Sequence, residues 1–87
     1  MKVFKYNLCL GLCQVLLPDG YRLLSVGWQG DSLKLWALVP ECDNWSAVEF
    51  FVAATGQEIG VHKLGQLIGT TESDDGFVAH VFALESE

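Results

Sequence analysis

YRLLSVGWQGDSLKLWALV, residues 21–39, decides the fold. Two runs rich in Leu, Val and Trp flank Gln29-Gly30-Asp31-Ser32, and a glycine-bearing pair between apolar runs reads as a tight β-hairpin. Successive strand residues point to opposite faces. Leu24, Val26 and Trp28 therefore share one face of the first run, and Tyr21, Leu23, Ser25 and Gly27 the other. In the second run Leu33, Leu35, Ala37 and Val39 oppose Lys34, Trp36 and Leu38. Neither strand has a face that is plainly polar.

The same grammar extends to both ends. Turn signals recur at Gly11, Pro18-Asp19-Gly20, Pro40 to Asn44, Thr55-Gly56, Gly60, Gly65 and Asp74-Asp75-Gly76. They bound strands predicted over 3–10, 12–17, 21–29, 33–39, 47–54, 66–72 and 77–84. No segment sustains a helical period, and three glycines make residues 56–65 an irregular loop. The chain is expected to form one all-β domain over 1–87, a small antiparallel sandwich or barrel of six to seven strands. In the fifth strand Val48, Phe50, Val52 and Ala54 oppose Ala47, Glu49, Phe51 and Ala53. Strands apolar on both sides need both faces covered, so Trp36, Leu38 and Phe51, or their opposites, call for a second cover. A sister subunit or a ligand would supply it, and a homo-oligomer is expected.

Bulk composition narrows the classes. Of 87 residues 51% are hydrophobic and 18% charged, which excludes intrinsic disorder. Tyr6 to Pro18, the longest uncharged run, is too short for the ~20 residues of a membrane-spanning helix. Five Lys+Arg against eleven Asp+Glu leave a net charge of −6, and Lys2, Lys5, Arg22, Lys34 and Lys63 are too scattered along the sequence for a basic stripe, so a partner of long nucleic acid is not expected. The carboxylates are too sparse to imitate DNA. Cys9, Cys13 and Cys42 offer no C-x-x-C pair and share no ligand spacing with His62 or His80, so they read as buried, reduced thiols acting as small hydrophobes, with no metal and no cofactor. The basic start followed by Leu8 to Leu17 is interrupted by Asn7 and Gln14 and lacks a cleavage site, which points to the cytoplasm rather than secretion.

No nucleophile–base–orienter set is legible, and no G-x-x-x-x-G-K-[ST] or G-x-G-x-x-G occurs. Thr55-Gly56-Gln57-Glu58-Ile59-Gly60 is able to present backbone amides to an anion. His62 and Lys63 would complement that charge and Glu58 would oppose it. Trp28, Trp36 and Trp45, with Tyr21, Phe50 and Phe51, are candidates for stacking on a base, worth about 1–3 kcal/mol each, although most aromatics of a β domain belong to its core. Trp45 sits in the polar run Glu41–Ser46, where a tryptophan suits a partner anchor or the wall of a pocket. Arg22 is the further cation for a phosphate. His80 alternates with Val78 and Phe82 and reads as a core histidine bonded to a backbone carbonyl.

The ordered pieces Phe4-Lys5-Tyr6, Leu17-Pro18-Asp19-Gly20, Leu24-Ser25-Val26, Leu35-Trp36-Ala37-Leu38-Val39, Ala54-Thr55-Gly56, Leu67-Ile68-Gly69-Thr70 and His80-Val81-Phe82 resemble a family of small uncharacterised proteins encoded by phages, prophages and bacteria. The resemblance spans nearly the whole chain and brings no catalytic residue with it. It implies a phage accessory protein in the host cytoplasm, of the kind that antagonises host defence. The expected function is binding and sequestration of a nucleotide-derived signal, without catalysis, at a subunit-interface pocket that includes Arg22, Trp36, Trp45, Thr55, Gly56, His62 and Lys63. The alternative is a protein-binding module that blocks a host protein through an apolar face or the Trp45 loop.

Overall fold

The Gln29–Ser32 hairpin forms as the sequence predicts. Gly30 has φ +64° and Asp31 a negative φ, with Gln29 facing Ser32 across the turn. Glycine at the first central position with a left-handed φ is the II′ geometry, whose twist matches that of the flanking strands. A computed structural model describes residues 1–60 and 64–84. They form seven strands: β1 (Lys2–Leu8), β2 (Gly11–Pro18), β3 (Arg22–Gln29), β4 (Ser32–Val39), β5 (Trp45–Ala54), β6 (Leu64–Glu72) and β7 (Val78–Leu84). Each predicted strand is present, within two residues at each end.

The strands pair antiparallel into two sheets, β1-β4-β3 and β2-β5-β7-β6. The sheets stack face to face as a sandwich. Leu35, Ala37, Phe50, Val52, Ala79 and Val81 are completely buried between them, and Tyr6, Cys13, Val26 and Trp28 pack against that centre. Trp28 adds an edge-on contact with Phe77, ring centroids 5.8 Å apart, and its Nε1–H donates to the Thr71 carbonyl at 3.3 Å. That hydrogen bond satisfies the one polar group the indole takes inward. Where β3 crosses β6 the Gly69 backbone lies against the Val26 side chain: a Cβ on Gly69 would lie 2.9 Å from Val26 Cγ2.

Two expectations about faces are corrected. The register between β3 and β4 shifts between Leu23 and Ser25. A bulge adds one unpaired residue and inverts the alternation beyond it. Leu23 therefore joins Val26 and Trp28 inside, while Leu24 is exposed. The second correction concerns cover. Phe51 is only 9% exposed, because Leu12 and Phe82 stand directly beside it on the neighbouring strands. Trp36 and Leu38 are half-buried. One chain thus covers Phe51 and leaves Trp36 and Leu38 partly open, while more exposed apolar side chains include Leu12, Leu16, Leu24 and Leu67 on strands at the sheet edges, Val3 and Phe4 on β1, and Trp45 on β5.

Candidate nucleotide-binding face

The outward side of the three-stranded sheet is set by alternation on β1 and β4 and by the bulge on β3. Cross-strand register places Val3, Leu38 and Arg22 in one row, Lys5, Trp36 and Ser25 in the next, then Asn7, Lys34 and Gly27. Trp36 lies over Gly27, where an added Cβ would sit 3.4 Å from the indole Cζ3. The missing side chain is what lets the ring lie down on the sheet. Lys5 Nζ donates to Gln29 Oε1 at 2.7 Å, and Lys34 Nζ donates to Asn7 Oδ1. Both partners are neutral amides, so the bonds orient the ammonium groups and leave their charge unbalanced.

Charge divides by sheet. Lys2, Lys5, Arg22 and Lys34, four of the chain's five cationic side chains, belong to β1, β3 and β4, whose sequences contain no Asp or Glu. The strands of the other sheet carry Glu49 and Glu72 and no Lys or Arg. Lys2 pairs with buried Val39 and stands off the outward rows; the other three, Lys5, Arg22 and Lys34, make one basic, tryptophan-centred face in a chain of net charge −6. Cross-strand neighbours stand about 5 Å apart and diagonal ones about 7–8 Å, so an anion beside Trp36 is within reach of Lys5 and Lys34.

The structure brings Arg22 and Trp36 together on this face and puts the other predicted residues elsewhere. Arg22 also borders a shallow depression of about 340 Å3 with Leu24, Gln66 and Ile68 at the junction with β6. Trp45 opens β5 and is 48% exposed. Its Nε1–H donates to the Cys42 carbonyl at 3.0 Å, and it shares a groove of about 400 Å3 with Met1, Phe4, Val39 and Pro40. Thr55 and Gly56 form the turn after β5. There Gln57 N–H donates to the Ala54 carbonyl at 3.1 Å, and Ala54 N–H donates to Gln57 Oε1 at 2.9 Å. Two amides of that loop are thereby engaged within it. His62 and Lys63 lie outside the described residues.

His80 corrects its expected role. It stands on the outer side of the four-stranded sheet with Nε2 2.6 Å from Thr55 Oγ1 and Nδ1 3.0 Å from Thr70 Oγ1. Two hydroxyls, rather than a carbonyl, hold the ring. The two contacts, one at each ring nitrogen, fix the orientation of the imidazole. Another groove, about 430 Å3, has Trp28 and Phe77 as its floor and Asp31, Asp74 and Asp75 at its rim. The Ser73 hydroxyl donates to Asp75 and holds that carboxyl below its ordinary value. Cys9, Cys13 and Cys42 are free thiols but not the buried ones expected: Cys9 is exposed and the other two are half-buried, and partial burial pushes Cys13 up. Among the described residues no three His, Cys, Asp or Glu side chains gather as metal ligands, and no helix is long and apolar enough to cross a membrane.

Lys5, Lys34 and Ser25 were not among the residues singled out from the sequence. Their signal was present: three strands without a single carboxylate in an acidic chain. Only the pairing of β1 with β4 puts them on one surface. Among known families, the model of a domain of unknown function, DUF7352, matches residues 1–87. No curated protein and no solved structure matches the chain.

Proposed function

We propose, for a chain that belongs to the DUF7352 domain family over its whole length, a non-catalytic role in binding a nucleotide-type ligand. The base stacks on Trp36 and the phosphates meet Lys5, Lys34 and Arg22 on the outer face of the three-stranded sheet. The observation that carries this reading is the separation of charge by sheet around one tryptophan. Stacking contributes about 1–3 kcal/mol per base, and charge-assisted bonds from the lysines to phosphate exceed neutral ones about twofold. Sequestration of a nucleotide-derived signal by a phage accessory protein is the form of this activity that needs no reacting group. Self-association belongs to the same proposal, with the ligand face left open in each copy. Trp45, Thr55 and Gly56 take no part in it.

Calorimetric titration with cyclic dinucleotides and ADP-ribose-type compounds tests the reading. Binding that disappears in Trp36→Ala and in the Lys5→Glu, Lys34→Glu double variant, with the ligand recovered unchanged, supports it. No heat and no thermal shift across the panel removes it, and turnover of the ligand replaces it with an enzyme. A second reading, capture of a host protein, is favoured by the exposure of Trp45 beside Phe4 at 48% and 46%. It predicts capture of one partner that is lost in Trp45→Ala and indifferent to Trp36→Ala.

A further inference from the structure

A two-sheet sandwich has four edges, here β1 and β3 in one sheet and β2 and β6 in the other. Each edge offers unpaired backbone groups that invite another strand, and proteins blunt edges with charge, bulges or irregularity. Lys2 and Lys5 lie on β1. β3 carries Arg22 and the bulge at Leu23–Ser25, and β6 has register breaks between Leu64 and Leu67 and again between Leu67 and Gly69. β2 has none of these defences. Its sequence, GLCQVLLP, holds no charge, and it runs in unbroken register with β5 from Gly11 to Pro18. Leu12 and Leu16 are 57% and 60% exposed.

The free side of β2 is defined by its ladder. Asp19 N–H donates to the Asn44 carbonyl at 2.9 Å, one step beyond the Pro18–Trp45 pair. Hydrogen-bonded and non-hydrogen-bonded pairs alternate in an antiparallel ladder, so Leu17, Val15 and Cys13 bond to β5. Leu12, Gln14 and Leu16 turn their N–H and C=O groups outward, the Leu12 carbonyl meeting only the Cys9 thiol at a long 3.9 Å. Pro18, with no N–H to offer, falls in the outward set, where its missing donor leaves the ladder intact.

We infer that β2 is the self-association edge: two copies join β2 to β2 antiparallel about a twofold axis through Gln14. The segment Leu12-Cys13-Gln14-Val15-Leu16 is self-complementary about its centre. Gln14 meets the partner's Gln14, and Leu12 meets the partner's Leu16. Those pairs exchange six backbone hydrogen bonds, and the pairing stops where Pro18 would have to donate. Sliding the register by two residues sets a leucine against Gln14 and loses the match. A foreign charged peptide finds no ion to pair with along this strand, which favours a second copy as its occupant. The inference rests on the self-association part of the proposed function and not on its ligand.

Light scattering across a wide concentration range, with amide hydrogen exchange, tests it on the full chain. The expected wild-type mass is twice the 9.6 kDa of one chain, with the amides of Leu12, Gln14 and Leu16 protected in the dimer. Gln14→Pro removes an outward N–H and leaves the β5 ladder whole; Leu16→Lys sets an ammonium against the partner's Leu12. Both should halve the mass with an unchanged circular dichroism spectrum, while Val3→Lys on β1 stays dimeric. If Gln14→Pro does not fold, Leu16→Lys decides. A wild-type chain of single mass overturns self-association itself. A dimer that survives both variants, or leaves those three amides unprotected, keeps self-association and overturns the β2 assignment.

Discussion

Gly69→Ala should destabilise the fold although nothing about its backbone forbids a side chain. Gly69 has no left-handed φ, and the new methyl would sit 2.9 Å from Val26 Cγ2. Carbon atoms in contact prefer about 3.5–4.0 Å, so one partner must give by more than half an ångström. Val26 is stiff at χ1 and wedged among core side chains, which leaves separation of β3 from β6 as the escape. Overpacking of this kind costs about 1–3 kcal/mol. Alanine returns about 0.4–1 kcal/mol by restricting the unfolded chain. The net loss is about 1–2 kcal/mol, which lowers Tm by roughly 5–15 °C at the ~4–8 °C per kcal/mol of a domain this size. Gly60→Ala, where an added Cβ meets nothing within 4 Å, is the control and should be neutral or up to about 1 kcal/mol more stable. Urea unfolding of Gly69→Ala, Val26→Ala and the double variant measures the coupling. Because the shortened residue 26 makes room for the new methyl, the double variant should lose at least about 0.5 kcal/mol less than the sum of the singles. A neutral Gly69→Ala, or a strictly additive cycle, refutes the close approach of the two sheets.

Two smaller tests follow. Gly30→Ala forces a side chain onto φ +64° in the II′ turn and should cost about 1–3 kcal/mol in chemical unfolding, without change at Trp36; stability equal to wild type contradicts the turn assignment. Asp75 is held below its ordinary value of 3.8, first by the Ser73 hydroxyl. The stability it contributes is therefore present above the unfolded value and is lost as pH falls through the lower folded value. Ser73→Ala should raise its titration midpoint in a carboxyl NMR titration, and an unmoved midpoint denies the hydroxyl its role.

Strand positions were legible because this chain punctuates itself with Gly, Pro and Asp and fills the intervals with Leu, Val, Phe and Trp. The faces were less so. Period-two alternation is blind to a bulge, so Leu23 and Leu24 exchange sides without any local sign in the residues themselves. Phe51 looks uncovered along its own strand, yet Leu12 and Phe82, distant in sequence, flank it once β2-β5-β7 is assembled. His80 shows the same limit: its threonine partners are 25 and 10 residues away. The site was half visible. Arg22 and Trp36 stood out as a cation and an aromatic, but Lys5 reaches them only through the β1–β4 pairing, which skips two intervening strands.

Stability does not account for the way charge is distributed. Opposite charges set across neighbouring strands stabilise a sheet by roughly 0.2–1 kcal/mol per pair, and eleven carboxylates were available. None stands on β1, β3 or β4, and Lys5 and Lys34 are tethered to Gln29 and Asn7, which orient without neutralising. A sheet arranged for its own sake would place Asp where Asn7 stands. One arranged for a mobile anion keeps its cations oriented and unspent, because a resident carboxylate would compete with the phosphate for the same donors. The remaining features agree in direction. On the proposed reading, lysines placed for an anion would also guard the β1 edge against another strand, association would fall to the uncharged β2 of the opposite sheet, and each copy of the dimer would present its own Trp36 face.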